Sequence, residues 1–337
     1  AGTYYPPQAR YGMPGLLDIL SVIHEKWQNK RSELIAISRE LTSALQEVYA
    51  GGLQLAHNQA AADRPRLKLW ASEEEGPKGN IQQAVYALQH SFDKNWGGFG
   101  RRPKFPMPHH LMLLLRYHHL AKDQSALDMV EKTLCQMYRG GIFDHVGFGF
   151  SRYSTDGKWL VPHFEKMLYD NALLIMAYLE AYQITGKTLY KMIAIKTIEY
   201  VLREMRDEKG GFYCAQDADS EGVEGKYYVF TPDEVREVLG EEEGRYFNEY
   251  YDIGPEGNFE GRSIPNLIDN PKALQEDSTT QSLLEAMRKK LYAYRLERVQ
   301  LHKDDKVLTS WNGLMIAALA KAGKTLGEPV YLEAAQQ

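Results

Sequence analysis

The stretch SALDMVEKTLCQMYRGGIFDHVGFGF, Ser125–Phe150, decides the fold. Apolar side chains recur at helical spacing up to Tyr138, two glycines stop the pattern, and an aromatic loop follows. The same sentence is written twice more. IQQAVYALQHSFDKNW runs into GGFG at Gly97–Gly100, and MIAIKTIEYVLREMRDEK runs into GGFYCAQDADSEG at Gly210–Gly222. Glycine just past a helix is expected to take the left-handed conformation that closes the last carbonyls. The second glycine lets the chain turn back tightly. Between these units lie return helices: PHHLMLLLRYHHLAK, PHFEKMLYDNALLIMAYLEAYQITG and TPDEVREVLG, then QSLLEAMRKKLYAYRLERV and TSWNGLMIAALAKAG. Recurrent helical hairpins of this kind imply an all-α array that curves or closes on itself. Strand signal is confined to short pieces such as KYYVF, Lys226–Phe230. The aromatic loops would then rim one end of the inner helices and surround a cleft, the default site.

The ends read differently. GTYYPP, Gly2–Pro7, has the look of a short strand stopped by prolines. A helix follows with Leu16, Ile19, Leu20, Ile23 and Trp27 on one face, then a second opened by Ser32. ASEEEGPKGN, Ala71–Asn80, is a polar boundary.

Bulk composition excludes several classes. The 337 residues are 44% hydrophobic and 25% charged, as in a chain that builds a core. A net charge of −5 offers no basic footprint for nucleic acid. No apolar run is long enough to span a membrane. The two cysteines, Cys135 and Cys214, are far apart, and no cleavable signal pattern opens the chain, so a reducing cytoplasm is expected. Neither a metal nor a cofactor motif is read: DADSEG opens like a calcium loop, but Tyr228 stands where the closing glutamate belongs.

RYGMPGLLDIL, GGFGRRPKFPMP, GGIFDHVGFGFSRYSTDGKWLVPHFEKMLYDNALL, GGFYCAQDADSEGVEGKYYVFTPDEV and DDKVLTSWNGLMIAALAKAG together resemble the thioredoxin-domain-containing spermatogenesis-associated protein family over nearly the whole chain. That resemblance implies a thioredoxin-like domain followed by an (α/α)6 barrel similar to those of N-acylglucosamine 2-epimerases and six-hairpin glycosidases. The division expected is residues 1–30 as the C-terminal remnant of the thioredoxin-like domain, 31–78 as a helical linker, and 79–337 as a barrel with too few hairpins to close six pairs. The family's upstream cysteine motif is absent from this sequence, so no redox role passes to its residues.

Five constellations carry candidate chemistry. In PHFEK, Pro162 is read at the first helical position, so that His163 and Glu165 sit in the positive field of a helix start, with Asp170 one turn on. The plain alternative is a capped helix with a Lys166–Asp170 ion pair. The loop between α-helical segments holds Asp144, Arg152, Tyr153 and Trp159 among glycines and phenylalanines, suited to stacking on a sugar. Alternatively it is packed on itself, with Arg152 paired to Asp156. Asp217 and Asp219 are a carboxylate pair of the type glycosidic cleavage uses, or a solvated acidic turn. Asp305 precedes Trp311 and Asn312, a carboxylate beside a stacking wall, or ordinary helix-start chemistry. Arg101, Arg102 and Lys104 are three cations among prolines, suited to an anionic group such as a uronate or phosphate, or, as is commoner, an ordinary solvated turn.

The function expected is a carbohydrate-active barrel, either a sugar epimerase or isomerase or a glycosidase. His163, Glu165, Asp144, Asp217, Asp219 and Asp305 are the catalytic candidates. Arg152, Tyr153, Trp159, Asp170, Trp311 and Asn312 are the substrate-binding ones. The rival is a non-catalytic ligand- or protein-binding barrel attached to a thioredoxin-like redox domain.

Overall fold

The computed structural model describes residues 14–50, 76–274 and 278–337. The strand expected at GTYYPP and most of the expected linker lie outside them. The chain divides into two compact units, Ala1–Gln83 and Ala84–Gln337. In the first, α1 (Leu16–Asn29) and α2 (Arg31–Ala50) follow each other after a single residue. Asp18 accepts a hydrogen bond from the Gly15 N–H at 3.1 Å and so starts α1. The Arg31 guanidinium covers Trp27 at 4.3 Å.

Beyond Gln83 the architecture is all-α hairpins, as expected. The helix α3 (Gly76–Ser91) leads into α4 (Pro108–Ala121) and α5 (Gln124–Arg139), then α6 (Leu168–Thr185) and α7 (Thr188–Tyr200). A π-turn, Val201–Met205, prolongs α7. The short helices α8 (Pro232–Leu239) and α9 (Glu241–Tyr250) precede α10 (Ser278–Arg298), α11 (Thr309–Leu326) and α12 (Pro329–Gln336). Strands are two residues long: β1 (Tyr153–Ser154), β2 (Pro162–His163), β3 (Lys166–Met167), β4 (Ala215–Gln216), β5 (Asp219–Ser220), β6 (Val223–Glu224) and β7 (Lys303–Asp304).

Local chemistry sets the corners. Proline opens α4, α8 and α12, where its missing N–H is no loss. Asp123 caps α5 by accepting from the Ser125 N–H at 2.9 Å. Thr231 and Glu234 form a capping box on α8. Hairpins pair α4 with α5, α6 with α7, α8 with α9 and α11 with α12. The central helix is α6, packed against α4, α7 and α11. Helices covered on several sides must be apolar on several faces, which is why LLIMAYLEA shows no narrow stripe.

Three local expectations are corrected. Residues 162–167 are extended, and α6 starts at Leu168. Their backbone groups find partners across strands instead of up a helix: His163 pairs with Tyr153, and Lys166 with Gln216 in an antiparallel sheet β3–β4–β7. His163 and Glu165 are half-buried while Phe164 and Lys166 are buried, a period of two that marks a strand. KYYVF forms turns and one bridge, Phe230 to Ser263. Finally, Gly140 ends α5 at φ −74°, outside the left-handed region. Its need for glycine is steric. A Cβ there would lie 2.2 Å from the Trp159 carbonyl oxygen, and one on Gly141 would lie 2.2 Å from that of Leu160. The glycine pair lets a backbone strand lie flat against the helix end, where the Ile142 N–H donates to the Trp159 carbonyl at 3.0 Å. Gly97, Gly98 and Gly210 do have positive φ.

Candidate active site

Beneath the strands lies a closed ionic centre. Arg295 of α10 grips Asp144 with both guanidinium nitrogens at 3.0 Å, and Lys166 of β3 reaches the same carboxylate at 2.8 Å. The Val146 and Gly147 N–H groups each add a hydrogen bond to Asp144 at 2.9 Å. Lys166 also donates to the Phe148 carbonyl at 2.6 Å and stands 4.5 Å from the Tyr200 ring. Burial opposes the Asp144 charge, but Arg295 and Lys166 outweigh it and hold the carboxyl well below the usual range. Burial draws Lys166 down to about 8, against the pull of Asp144. All three side chains are almost wholly enclosed. Asp144 thus locks α10 to the loop after α5, shut off from any ligand in this conformation.

Above it, β1–β3 and the start of α6 carry a second, accessible cluster. Glu165 receives Arg152 Nη1 at 3.1 Å and lies 3.9 Å from His163 Nε2. The other histidine nitrogen, Nδ1, is 2.8 Å from Glu224 Oε1 on β6. Tyr153 stacks on the imidazole at 5.0 Å, with Phe105 against Tyr153 at 4.9 Å. Tyr169 meets Trp311 edge-on at 4.8 Å and interacts with both Arg152 and Asp170. Strand pairing explains the convergence: β1–β2 sets Tyr153 beside His163, and the first turn of α6 sets Tyr169 and Asp170 behind Glu165.

Asp170 is the unusual member. It is 8% exposed, and its Oδ2 has no hydrogen-bond partner. Burial lifts its carboxyl to about 7, with Arg152 and Tyr169 opposing and Glu165 reinforcing the rise. Arg152 Nε, a donor, is likewise buried and unpaired. An acceptor and a donor left open in one cluster match the two capacities of a hydroxyl group.

His163, Glu165, Arg152, Tyr153, Asp170 and Trp311 therefore meet; the other expected residues are placed elsewhere. Trp159 is fully buried, and its indole N–H donates to the Trp96 carbonyl at 2.8 Å, so it is core and not a sugar floor. Phe143, Phe148 and Phe150 are buried with it. Asn312 spends its amide on Phe212, accepting from the N–H at 2.8 Å and donating to the carbonyl at 3.0 Å. Asp217 is an exposed turn residue accepting from the Asp219 N–H at 3.2 Å. Asp219 is exposed on β5, across from Glu224, and Asp305 is exposed before α11. Asp156 organises its own loop, accepting from the Val161 N–H at 2.8 Å, and leaves Arg152 to Glu165. Lys166 pairs with Asp144, not Asp170. Lys104, read as solvated, is buried against Asp93 at 2.6 Å. Glu224 and Tyr169 escaped the sequence reading because their roles depend on a hairpin and a helix start whose positions the pattern misjudged. Cys214 is buried beside Met167, its thiol pushed up to about 11 chiefly by burial and by Asp304. Among the described residues no three metal-ligating side chains converge, and no helix is long and apolar enough to cross a membrane.

No family model matches the chain. Human spermatogenesis-associated protein 20 is 34% identical over 364 residues, covering 97% of this chain and 44% of the human protein. The mouse protein of that name is 34% identical with the same coverage. An uncharacterized Caenorhabditis elegans protein is 32% identical over 100% of this chain and 48% of its own length. The chain thus spans about half the length of the curated relatives it matches. Among solved structures, a Bacteroides thetaiotaomicron glycoside hydrolase family 76 mannosidase aligns with TM-score 0.45 and 13% identity, over 79% of this chain and 53% of its own. A sugar epimerase from a ruminal bacterium gives 0.37 and 13%, over 77% and 84%. A D-mannose isomerase gives 0.37 and 10%, over 79% and 86%. By sequence, the chain is similar to spermatogenesis-associated protein 20 across about half of that protein's length.

Proposed function

We propose that the cluster around Asp170 is an acid–base site acting on a sugar, of the epimerase or isomerase type. The observation that carries this reading is a buried carboxyl at about 7 with an unpaired oxygen, beside Arg152, whose partner Glu165 adjoins His163. Proton transfer at the carbon next to a sugar carbonyl needs groups that gain and lose protons near neutrality. With Nδ1 donating to Glu224, His163 presents Nε2 as the atom that takes the proton, and Glu224 is a positioning residue. Return of the proton to the opposite face epimerises the carbon; its delivery to the former carbonyl carbon, with the neighbouring hydroxyl giving up its proton to Asp170 as that carbon becomes the new carbonyl, isomerises the sugar. Arg152 polarises the carbonyl oxygen, Asp170 exchanges a proton with the resulting hydroxyl, and Tyr153 and Trp311 supply apolar edges. The hydrolytic alternative needs a carboxylate pair free on both sides of the glycosidic bond, whereas Glu165 is held by Arg152. Turnover in the whole protein, its cytoplasmic setting and a thioredoxin-like segment before this domain belong to the same proposal.

The test is a panel of aldoses and ketoses incubated with the protein, with products resolved by NMR. His163→Ala and Asp170→Asn should each lower kcat/KM by about 100-fold or more, the usual weight of a general acid or base. Sugar turnover that survives both substitutions unchanged would remove the cluster from the mechanism.

A further inference from the structure

The α8–α9 hairpin offers a surface that the chemistry above leaves unused. Two adjoining depressions, of about 610 and 460 Å³, share Arg245 and Glu249 of α9. The larger runs under the loop at residues 252–255 and is lined by Asn248; the smaller continues past Glu242 and Tyr246.

Asn248 is 7% exposed, and its Oδ1 has no donor. Its Nδ2 donates to the Pro232 carbonyl at 3.1 Å. A carbonyl only accepts, so the amide cannot be turned round to hide the open oxygen. The groove therefore presents a buried acceptor that asks for an N–H or O–H.

Charge points the same way. Asp233, Glu241, Glu242, Glu249 and Asp252 face Arg236 and Arg245 along the two depressions. Both arginines are engaged within the groove, Arg236 by Asp233 and Glu241 and Arg245 by Glu241 at 3.3 Å. Glu243, in the same turn, is taken by Lys290 at 3.0 Å. Glu242 and Glu249 are exposed and unpaired among the described residues. What remains open is acceptor capacity and negative charge, with Pro232 and Pro255 as apolar walls.

We propose that this groove binds an extended peptide segment rich in lysine or arginine. A backbone N–H of the segment donates to Asn248 Oδ1, its cationic groups pair with Glu242 and Glu249, and its aliphatic stems lie on the prolines. The proposal is independent of the sugar site.

Fluorescence anisotropy with a short labelled Lys/Arg peptide, and with the same peptide carrying Glu at those positions, tests it at physiological salt. The basic peptide should bind and the acidic one should not. The exposed double variant Glu242→Lys/Glu249→Lys should weaken binding about tenfold or more. The control Asp128→Lys/Glu333→Lys, with the same charge change on the exposed faces of α5 and α12, should alter it by less than about twofold, since remote surface charges are screened. Asn248→Leu should weaken binding also, with circular dichroism to check that it folds. Equal weakening by the two charge variants would reduce the effect to net charge and overturn the proposal. So would absence of binding, or equal binding of the acidic peptide.

Discussion

Asp170→Asn should stabilise the protein at alkaline pH and leave its acid-side stability nearly unchanged. Asp170 is an acid whose folded value, about 7, lies above its ordinary 3.8. Below pH 4 both states carry the proton. Between about 4 and 7 the unfolded chain releases it while the folded chain keeps it, so the folded state binds more protons and stability falls as pH rises. Above 7 the penalty is complete. The span from 3.8 to about 7, at about 1.4 kcal/mol per pH unit, amounts to about 4 kcal/mol. Water drawn in by the ionised carboxylate relaxes part of that, so about 2–4 kcal/mol is expected. Asparagine keeps the shape and lacks the charge. Urea unfolding of wild type and variant at pH 4.5 and pH 8 measures the difference; subtracting wild type from variant at each pH cancels the other titrating groups, and subtracting the two pH values then removes the pH-independent effect of the substitution. A variant no more stable than wild type at pH 8 would refute the buried, ill-satisfied carboxyl. Stability gained by deleting this carboxyl, together with loss of the proposed turnover, would mark a site held at a cost to the fold.

Other outcomes follow from the same geometry. Asp144→Asn leaves Lys166 and Arg295 buried without their shared anion and should cost about 3–5 kcal/mol in denaturant unfolding. Gly140→Ala drives a Cβ into the Trp159 carbonyl at 2.2 Å and should cost about 3 kcal/mol, read as a fall in Tm. His145 is pushed down to about 3, chiefly by burial, so the folded chain stays neutral while the unfolded chain takes a proton below about 6.5. Stability should therefore fall as pH drops from 6.5 toward 3, and His145→Gln should flatten that limb of a urea–pH series. Glu224→Gln should shift the 15N resonances of the His163 ring toward a mixed tautomer and lower kcat/KM about tenfold, while Tm moves little because the pair is half exposed.

Helices were legible in this sequence because a 3.6-residue period, proline starts and capping residues act over short range. Leu16–Asn29, Pro108–Ala121 and Pro232–Leu239 all begin near such signals. PHFEKM was not legible as strand, because its partners lie at Tyr153 and Gln216, and no local pattern announces a cross-strand neighbour. The site was read in part. His163, Glu165, Arg152 and Asp170 are near in sequence, so any compact fold was apt to gather them. Glu224 lies 61 positions beyond His163, and Arg295 lies 151 beyond Asp144. Contacts of that reach belong to tertiary packing. Trp159 misled for a related reason: an aromatic beside glycines reads as a stacking platform until the helix end that covers it is in place.

Deuterium exchange from solvent tests the central claim most directly. Sugars incubated with the protein in D2O are followed by NMR at the carbon next to the carbonyl. Acid–base chemistry at the Asp170 cluster predicts that one sugar or more gains deuterium there, and that His163→Ala and Asp170→Asn each abolish the gain. No incorporation into any aldose or ketose of a broad panel, or incorporation indifferent to both substitutions, would contradict it.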